Sequence, residues 1–124
     1  MLVRNTATIL LLLIFAGCSR SSSVHWKDGN YRVYSLPVSG EVIMGYYMGD
    51  GAIMGLSDPT VTAAGSDTRF VTFKCDADNR PLHFYYIEKK PNEAGEVSGP
   101  YSADEYSVIQ KAKMLPPHTW NARP

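Results

Sequence analysis

The 124-residue chain carries 12 Lys and Arg side chains against 12 Asp and Glu, so its formal net charge is zero. This balance excludes the basic stripe of a nucleic-acid-binding domain, and no run of like charges indicates an acidic or basic tail. We therefore expect no nucleic-acid partner. The length suits one small domain with a modest hydrophobic core.

The first 17 residues have the organisation of a secretory signal peptide. Residues 1–6 carry one Arg beside the α-amino group, and residues 7–16, ATILLLLIFA, contain one non-apolar residue, Thr8. A ten-residue helix spans about 15 Å, half of the hydrocarbon core of a bilayer, which is too short for a transmembrane helix. A buried core helix is the alternative, but such a helix is normally amphipathic and capped. The pattern predicts a cleaved signal peptide over residues 1–17.

The apolar run ends in Phe15-Ala16-Gly17-Cys18. This tetrapeptide resembles the lipobox of bacterial lipoproteins, although Phe15 stands where Leu is usual. In that family the Cys thiol is lipidated and the peptidase cuts before it. Conventional cleavage after Gly17 is the alternative, but the A-x-A pattern that it needs is absent.

The lipobox resemblance has three implications. Cys18 is the lipidation site, and its acyl chains, palmitate among them, anchor the protein to a membrane. Residues 18–24 are the lipidated Cys and a short flexible tether, because they are rich in Ser. The protein is then attached to the cell membrane or outer membrane and faces the periplasm or the exterior.

Six strands are predicted along the rest of the chain, because β-prone apolar runs alternate with Gly, Asp, Asn and Pro clusters. The predicted strands are residues 31–36, 41–48, 52–56, 61–64, 69–75 and 82–88. The last two flank the turn cluster DADNR and should pair antiparallel. Residues 89–100, KKPNEAGEVSGP, read as a polar loop.

A helix is predicted after these strands. Ser102-Ala103-Asp104-Glu105 is a capping box, in which the first and last side chains satisfy free backbone N–H groups. The helix should run from about Ala103 to Lys113, with Tyr106 and Ile109 on its apolar face. Together these elements predict an α+β fold: an antiparallel β-meander of five or six strands with one C-terminal helix packed on the sheet. Residues 25–124 are expected to form a single small β-rich domain.

A second resemblance covers roughly residues 50–110. The segments DGAIMG, VTAAGSDTRFVTFK, HFYYIEKK and GPYSADEY resemble a family of small uncharacterised bacterial proteins, many of which are lipoproteins. That family has no assigned activity, so the resemblance supports the fold and implies no mechanism.

The chain has two cysteines, Cys18 and Cys75. If Cys18 is lipidated, Cys75 is the remaining thiol and is most simply a small hydrophobic side chain at a strand end. A Cys18–Cys75 disulfide in an oxidising compartment is one alternative. A catalytic thiol that uses His83, across a turn, as its base is another.

No other pattern indicates chemistry. His25, His83 and His118 are scattered, so no metal site and no cofactor are expected. The chain has no P-loop, no G-x-S-x-G and no G-x-G-x-x-G sequence. Its eight tyrosines suit half-buried sheet surfaces, with a recognition face as the alternative reading.

The sequence as a whole predicts a membrane-anchored lipoprotein that is not an enzyme. We expect a binding or interaction module with a protein partner in the cell envelope. One alternative is an inhibitor or immunity protein against an envelope-acting enzyme. The other is a small thiol hydrolase that uses Cys75.

Overall fold

The computed structural model describes residues 23–76 and 81–122. In them the chain forms antiparallel strands in two sheets and one helix. The strands are β1 (Val24–Asp28), β2 (Tyr31–Ser35), β3 (Val42–Gly49), β4 (Ala52–Gly55), β5 (Val61–Ser66), β6 (Phe70–Cys75), β7 (His83–Glu88), β8 (Val97–Tyr101) and β9 (Trp120–Asn121). The helix α1 (Ala103–Lys113) lies between β8 and β9.

The first sheet is a simple meander with the strand order β1-β2-β3-β4. Its connections are short because each turn contains a residue that tolerates a left-handed backbone. Gly29, between β1 and β2, has a φ of +59°, and Gly51, between β3 and β4, has a φ of +81°. Consecutive hairpins therefore bring neighbouring strands into register without a crossover.

The second sheet has the order β8-β7-β6-β5-β9. Strands β5 to β8 follow one another as hairpins, whereas β9 returns from beyond the helix to pair with the free edge of β5. In that pairing Ala64 lies opposite Trp120 and Ala63 opposite Asn121. The last described residues thus close one edge of the sheet.

The main hydrophobic core lies between the two sheets. The first sheet contributes Val33 and Met44, and the second contributes Val71, Phe73 and Ile87; all five side chains are fully buried. Alternate residues of each strand point to opposite faces, so one face of each sheet turns towards the other. Burial of these apolar side chains is the main force that holds the sheets together.

A second, smaller core lies under α1, on the opposite face of the second sheet. Phe70 and Tyr106 are buried there with Leu115, and Phe84 and Tyr86 pack against them. The helix begins with the predicted capping box, in which the Ser102 hydroxyl accepts a hydrogen bond from the Glu105 backbone N–H at 3.2 Å. The predicted bounds of the helix, its cap and its packing on the sheet are confirmed.

The predicted strand count was too low. The antiparallel α+β architecture is confirmed, but the described residues contain nine strands in two sheets rather than five or six in one. The missed strands are β1, β8 and β9, and each lies at the edge of a sheet. Three of the five residues of β1 are exposed and β9 has only two residues, so neither strand shows clear apolar alternation. β8 also contains Gly99-Pro100, a pair that is typical of turns.

The predicted signal peptide, Cys18 and most of the predicted tether lie outside the described residues. Within residues 23–76 and 81–122, no helix is both long and apolar enough to cross a bilayer.

Candidate functional site

Cys75 and His83 are brought together by the pairing of β6 with β7. Cys75 is the last residue of β6, His83 is the first of β7, and the two are direct partners in the antiparallel register. Directly opposed residues project from the same face of a sheet. The sequence prediction that His83 could face Cys75 across the turn is therefore confirmed at the level of register.

Both side chains line a cavity of about 500 Å³ at one end of the two sheets. Its wall is completed by the segment that links β4 to β5, by Tyr85 and by two prolines. The lining residues are Gly55, Leu56, Ser57, Asp58, Pro59, Cys75, Pro81, His83, Tyr85 and Pro100. The β4–β5 linker connects the first sheet to the second, and its path places Asp58 beside the thiol of Cys75.

The Cys75 side chain is nearly buried, with 7% of its surface exposed. Its thiol donates a hydrogen bond to the backbone carbonyl oxygen of Asp58, with the sulfur 3.5 Å from the oxygen. Burial, and secondly the negative charge of Asp58, raise the pKa of Cys75 to about 12. Burial, followed by the negative charges that Cys75 and Asp58 carry when ionised, also raises the pKa of Tyr85.

These surroundings keep the thiol in its neutral form. At neutral pH a pKa of about 12 leaves on the order of one thiolate in 10⁵ molecules. Reactive cysteines need the opposite environment, an electropositive and partly open one that lowers the pKa of the thiol. Cys75 therefore behaves as a packed, hydrogen-bonded core residue, and its prediction as a small hydrophobic side chain at a strand end is confirmed.

The three histidines are in different environments. His83 lines the cavity, His25 stacks on Trp120 at 5.8 Å between ring centroids, and His118 lies beside the stacked rings of Phe84 and Tyr106. Across residues 23–76 and 81–122, no three His, Cys, Asp or Glu side chains form a group that could hold a metal ion.

Six of the eight tyrosines pack in or against the two cores, and the other two are Tyr34 and Tyr47. Four are buried, namely Tyr31, Tyr34, Tyr46 and Tyr106, and the other four are half-buried. Tyr31 also accepts a hydrogen bond from the Gly95 backbone N–H at 2.9 Å, which joins the first sheet to the β7–β8 connection. The predicted role of the tyrosines on buried and half-buried sheet surfaces is therefore confirmed, and the alternative of a recognition face stays a prediction.

A different exposed surface lies beside β4, at the edge of the first sheet. Met48 and Met54 expose 60% and 42% of their surface on neighbouring strands. They border a shallow groove of about 550 Å³ whose lining residues are Asn30, Tyr46, Tyr47, Met48, Gly49, Met54, Asn92, Glu93 and Ala94. Methionine side chains adapt to different apolar partners. We call Met48, Met54 and this groove the methionine surface.

Two features of these sites were missed in the sequence. No local sequence signal marks Asp58, because its approach to Cys75 depends on the path of the β4–β5 linker. Met48 and Met54 were read as ordinary strand residues. Their exposure follows from the position of β4 at the sheet edge, which the sequence does not specify.

The chain matches no protein-family model, no curated protein and no solved structure.

Proposed function

We propose that this protein is a lipid-anchored, non-enzymatic binding protein of the bacterial cell envelope. The observation that carries the proposal is the lipobox-like sequence Phe15-Ala16-Gly17-Cys18 after an apolar run. Its position suits an anchor, because β1 begins at Val24, six residues after Cys18. The folded domain would thus stand close to the membrane that holds the lipid.

The environment of Cys75 and the exposure of the methionine surface both support binding rather than catalysis. The protonated, hydrogen-bonded thiol of Cys75 is unsuited to nucleophilic attack. The methionine surface, in contrast, exposes apolar side chains beside an unpaired strand edge, a combination that favours contact with another protein. We propose that a protein partner in the envelope binds at this surface.

The anchor is tested by the mass of the protein isolated from a bacterial membrane. We expect an N-terminal peptide that begins at Cys18 and carries diacylglycerol and acyl groups. The Cys18→Ser variant is the control and should lose the membrane fraction. An N-terminus at Ser19, or an intact Met1, would contradict the proposed anchor.

The binding surface is tested by crosslinking in intact cells that produce the lipidated protein. We expect one specific crosslinked partner with the native chain and at least a tenfold loss with Met48→Glu/Met54→Glu. Val108→Glu is the matched control, because Val108 is 70% exposed on α1, away from the methionine surface. If Met48→Glu/Met54→Glu and Val108→Glu crosslinked to the partner equally, the methionine surface would not be the binding site.

The identity of the partner separates two forms of the proposal. An envelope-acting lytic enzyme that loses activity when it binds the purified domain would make the protein an inhibitor or immunity protein. A partner without enzymatic activity would leave a general interaction module.

A thiol hydrolase is the second candidate, because Cys75 and His83 share one cavity. Its test is alkylation of the folded, lipidated protein at neutral pH. Labelling of Cys75 at a rate above that of a free thiol, abolished by His83→Ala, would support the hydrolase. We expect Cys75 to react only after denaturation.

A further inference from the structure

The first described residue is tied to a specific corner of the fold. The Ser23 carbonyl oxygen accepts a hydrogen bond from the Ser35 backbone N–H at 2.9 Å, and Val24 lies opposite Tyr34. The chain therefore joins the domain beside the end of β2. The β2–β3 loop, residues Leu36–Gly40, begins one residue later and belongs to the same corner.

The β2–β3 loop presents an apolar tip. Val38 is 100% exposed, and residues 36–40, LPVSG, carry no charge; Glu41, the last residue before β3, is charged. Two backbone hydrogen bonds close the loop: the Leu36 N–H donates to the Glu41 carbonyl at 2.8 Å, and the Gly40 N–H donates to the Leu36 carbonyl at 2.9 Å. Val38 is therefore held outward by a closed turn and contacts no other part of the described chain.

The short segment between the domain and the proposed anchor limits how far this corner can lie from the membrane. Cys18 and Ser23 are five residues apart, and an extended chain reaches at most about 3.6 Å per residue, or about 18 Å in all. If Cys18 is acylated, Ser23 must remain within that distance of the lipid, and the β2–β3 loop starts beside the Ser35 to which Ser23 is hydrogen-bonded. Val24, which is half exposed, lies at the same corner.

We infer that the β2–β3 loop is a second membrane contact, in which Val38 enters the bilayer interface beside the lipid anchor. The inference rests on the proposed lipidation of Cys18. The anchor removes most of the entropic cost of binding, because the loop is already confined to the membrane surface. A single exposed valine can then orient the domain although it could not recruit a free protein.

The contact is apolar rather than electrostatic. The charged residue nearest the loop tip is Glu41, which is exposed. Anionic lipid headgroups would repel its carboxylate. The loop itself therefore gains no attraction from charged headgroups, and its contact should persist when salt screens charges.

The test uses the full lipidated protein in vesicles of phosphatidylcholine and anionic phosphatidylglycerol, a fraction of whose lipids carry a nitroxide near the headgroup. A polarity-sensitive fluorophore is attached to Val38→Cys. Labelling is selective because the lipid occupies the thiol of Cys18 in the lipidated protein, whereas Cys75 is nearly buried and its thiol is protonated. Val108→Cys with the same fluorophore is the matched control. It is also exposed, but α1 lies on the face of the second sheet that points away from the first sheet.

We expect the nitroxide lipids to quench the label at residue 38 at least threefold more than the label at residue 108, at low and high salt alike. Equal quenching at the two positions, or loss of the difference at high salt, would overturn the inference. The mass of the N-terminus is measured on the same samples. An acylated Cys18 without differential quenching would refute the loop contact alone, whereas an unmodified Cys18 would refute both proposals.

Discussion

The side-chain nitrogen of Lys89 lies 2.7 Å from Oδ2 of Asp28 and donates a second hydrogen bond to the carbonyl oxygen of Asp67 at 2.6 Å. Asp28 ends β1 in the first sheet, whereas Lys89 follows β7 and Asp67 follows β5 in the second. One ammonium group therefore joins both sheets at the side of the domain where these strands end. Together with the hydrogen bond from the Gly95 N–H to the Tyr31 hydroxyl, this contact supplies polar specificity to an interface that is held mainly by apolar packing.

Replacement of Lys89 by Met should lower the free energy of unfolding by about 1 kcal/mol. The variant keeps most of the aliphatic stem but removes both hydrogen bonds and leaves the Asp28 carboxylate without its partner. The value is modest because both side chains remain partly exposed to water. Urea unfolding of the purified protein measures it.

Arg69→Met is the matched control for this prediction. Arg69 pairs with Glu88 at 3.2 Å, but both side chains are more than half exposed and lie in the same sheet. Its loss should change the free energy of unfolding by less than about 0.5 kcal/mol. If the two variants were equally stable, Lys89 would not join the sheets in solution.

The same ion pair predicts an acid transition. The hydrogen bond from Lys89, and secondly one from Ser66, lower the pKa of Asp28 from 3.8. The stabilisation is therefore present above pH 3.8 and is lost as the pH falls through the lower pKa of the folded state. Unfolding free energies measured between neutral pH and pH 2 should fall less steeply in this acid window for Lys89→Met than for the native protein.

His118 predicts a second transition at higher pH. Its ring lies beside the stacked rings of Phe84 and Tyr106, and its Nε2 is buried with no hydrogen-bond partner among the described residues. Burial, followed by the charge of Lys74, lowers the pKa of His118 from 6.5. Folding thus favours the neutral ring. The free energy of unfolding should be highest above pH 6.5, where the ring is neutral in both the folded and the unfolded state. It should decrease as the pH falls from 6.5 to the lower pKa of the folded state.

His118→Phe tests this transition, because phenylalanine keeps an aromatic ring beside Phe84 and Tyr106 but cannot be protonated. We expect the variant to lose little stability at pH 8 and to show no decrease between pH 6.5 and pH 5. His25→Phe is the control, since His25 is exposed. A native-like pH profile in His118→Phe would assign the transition to another group.

Gly65 is predicted to tolerate no side chain. A Cβ atom at this position would collide with the Pro117 carbonyl oxygen and lie 2.9 Å from the Cα of His118. Gly65→Ala should therefore displace the segment that leads to β9 and cost about 3 kcal/mol. Chemical denaturation measures the cost.

Gly55→Ala is the control for that substitution. Gly55 is also in a strand, but the nearest atom to its added Cβ would be Ile43 Cδ1, at an ordinary 3.5 Å. It should change stability by less than about 1 kcal/mol. A similar cost for both variants would show that the close approach of Pro117 to Gly65 is absent in solution.

The central strands and the helix could be predicted because their signals are local. β3, β6 and β7 are β-prone runs bounded by turn residues, and the Ser102–Glu105 capping box marks the start of α1 independently of its surroundings. β1 and β9 carry no comparable signal. Their residues become strands because a partner strand offers free N–H and C=O groups, and that partner is distant in the sequence for β9.

The features of the candidate sites also fall into a local and a non-local group. The lipobox-like sequence that ends at Cys18 is local, and the opposition of Cys75 to His83 follows from the pairing of two strands that are neighbours in the chain. Only the tertiary structure decided that Cys75 is buried with a raised pKa, that Asp58 lies beside it and that Val38 projects from the corner where the chain joins the domain. Burial and electrostatic surroundings depend on which segments pack together, and that packing is set by contacts between residues far apart in the sequence.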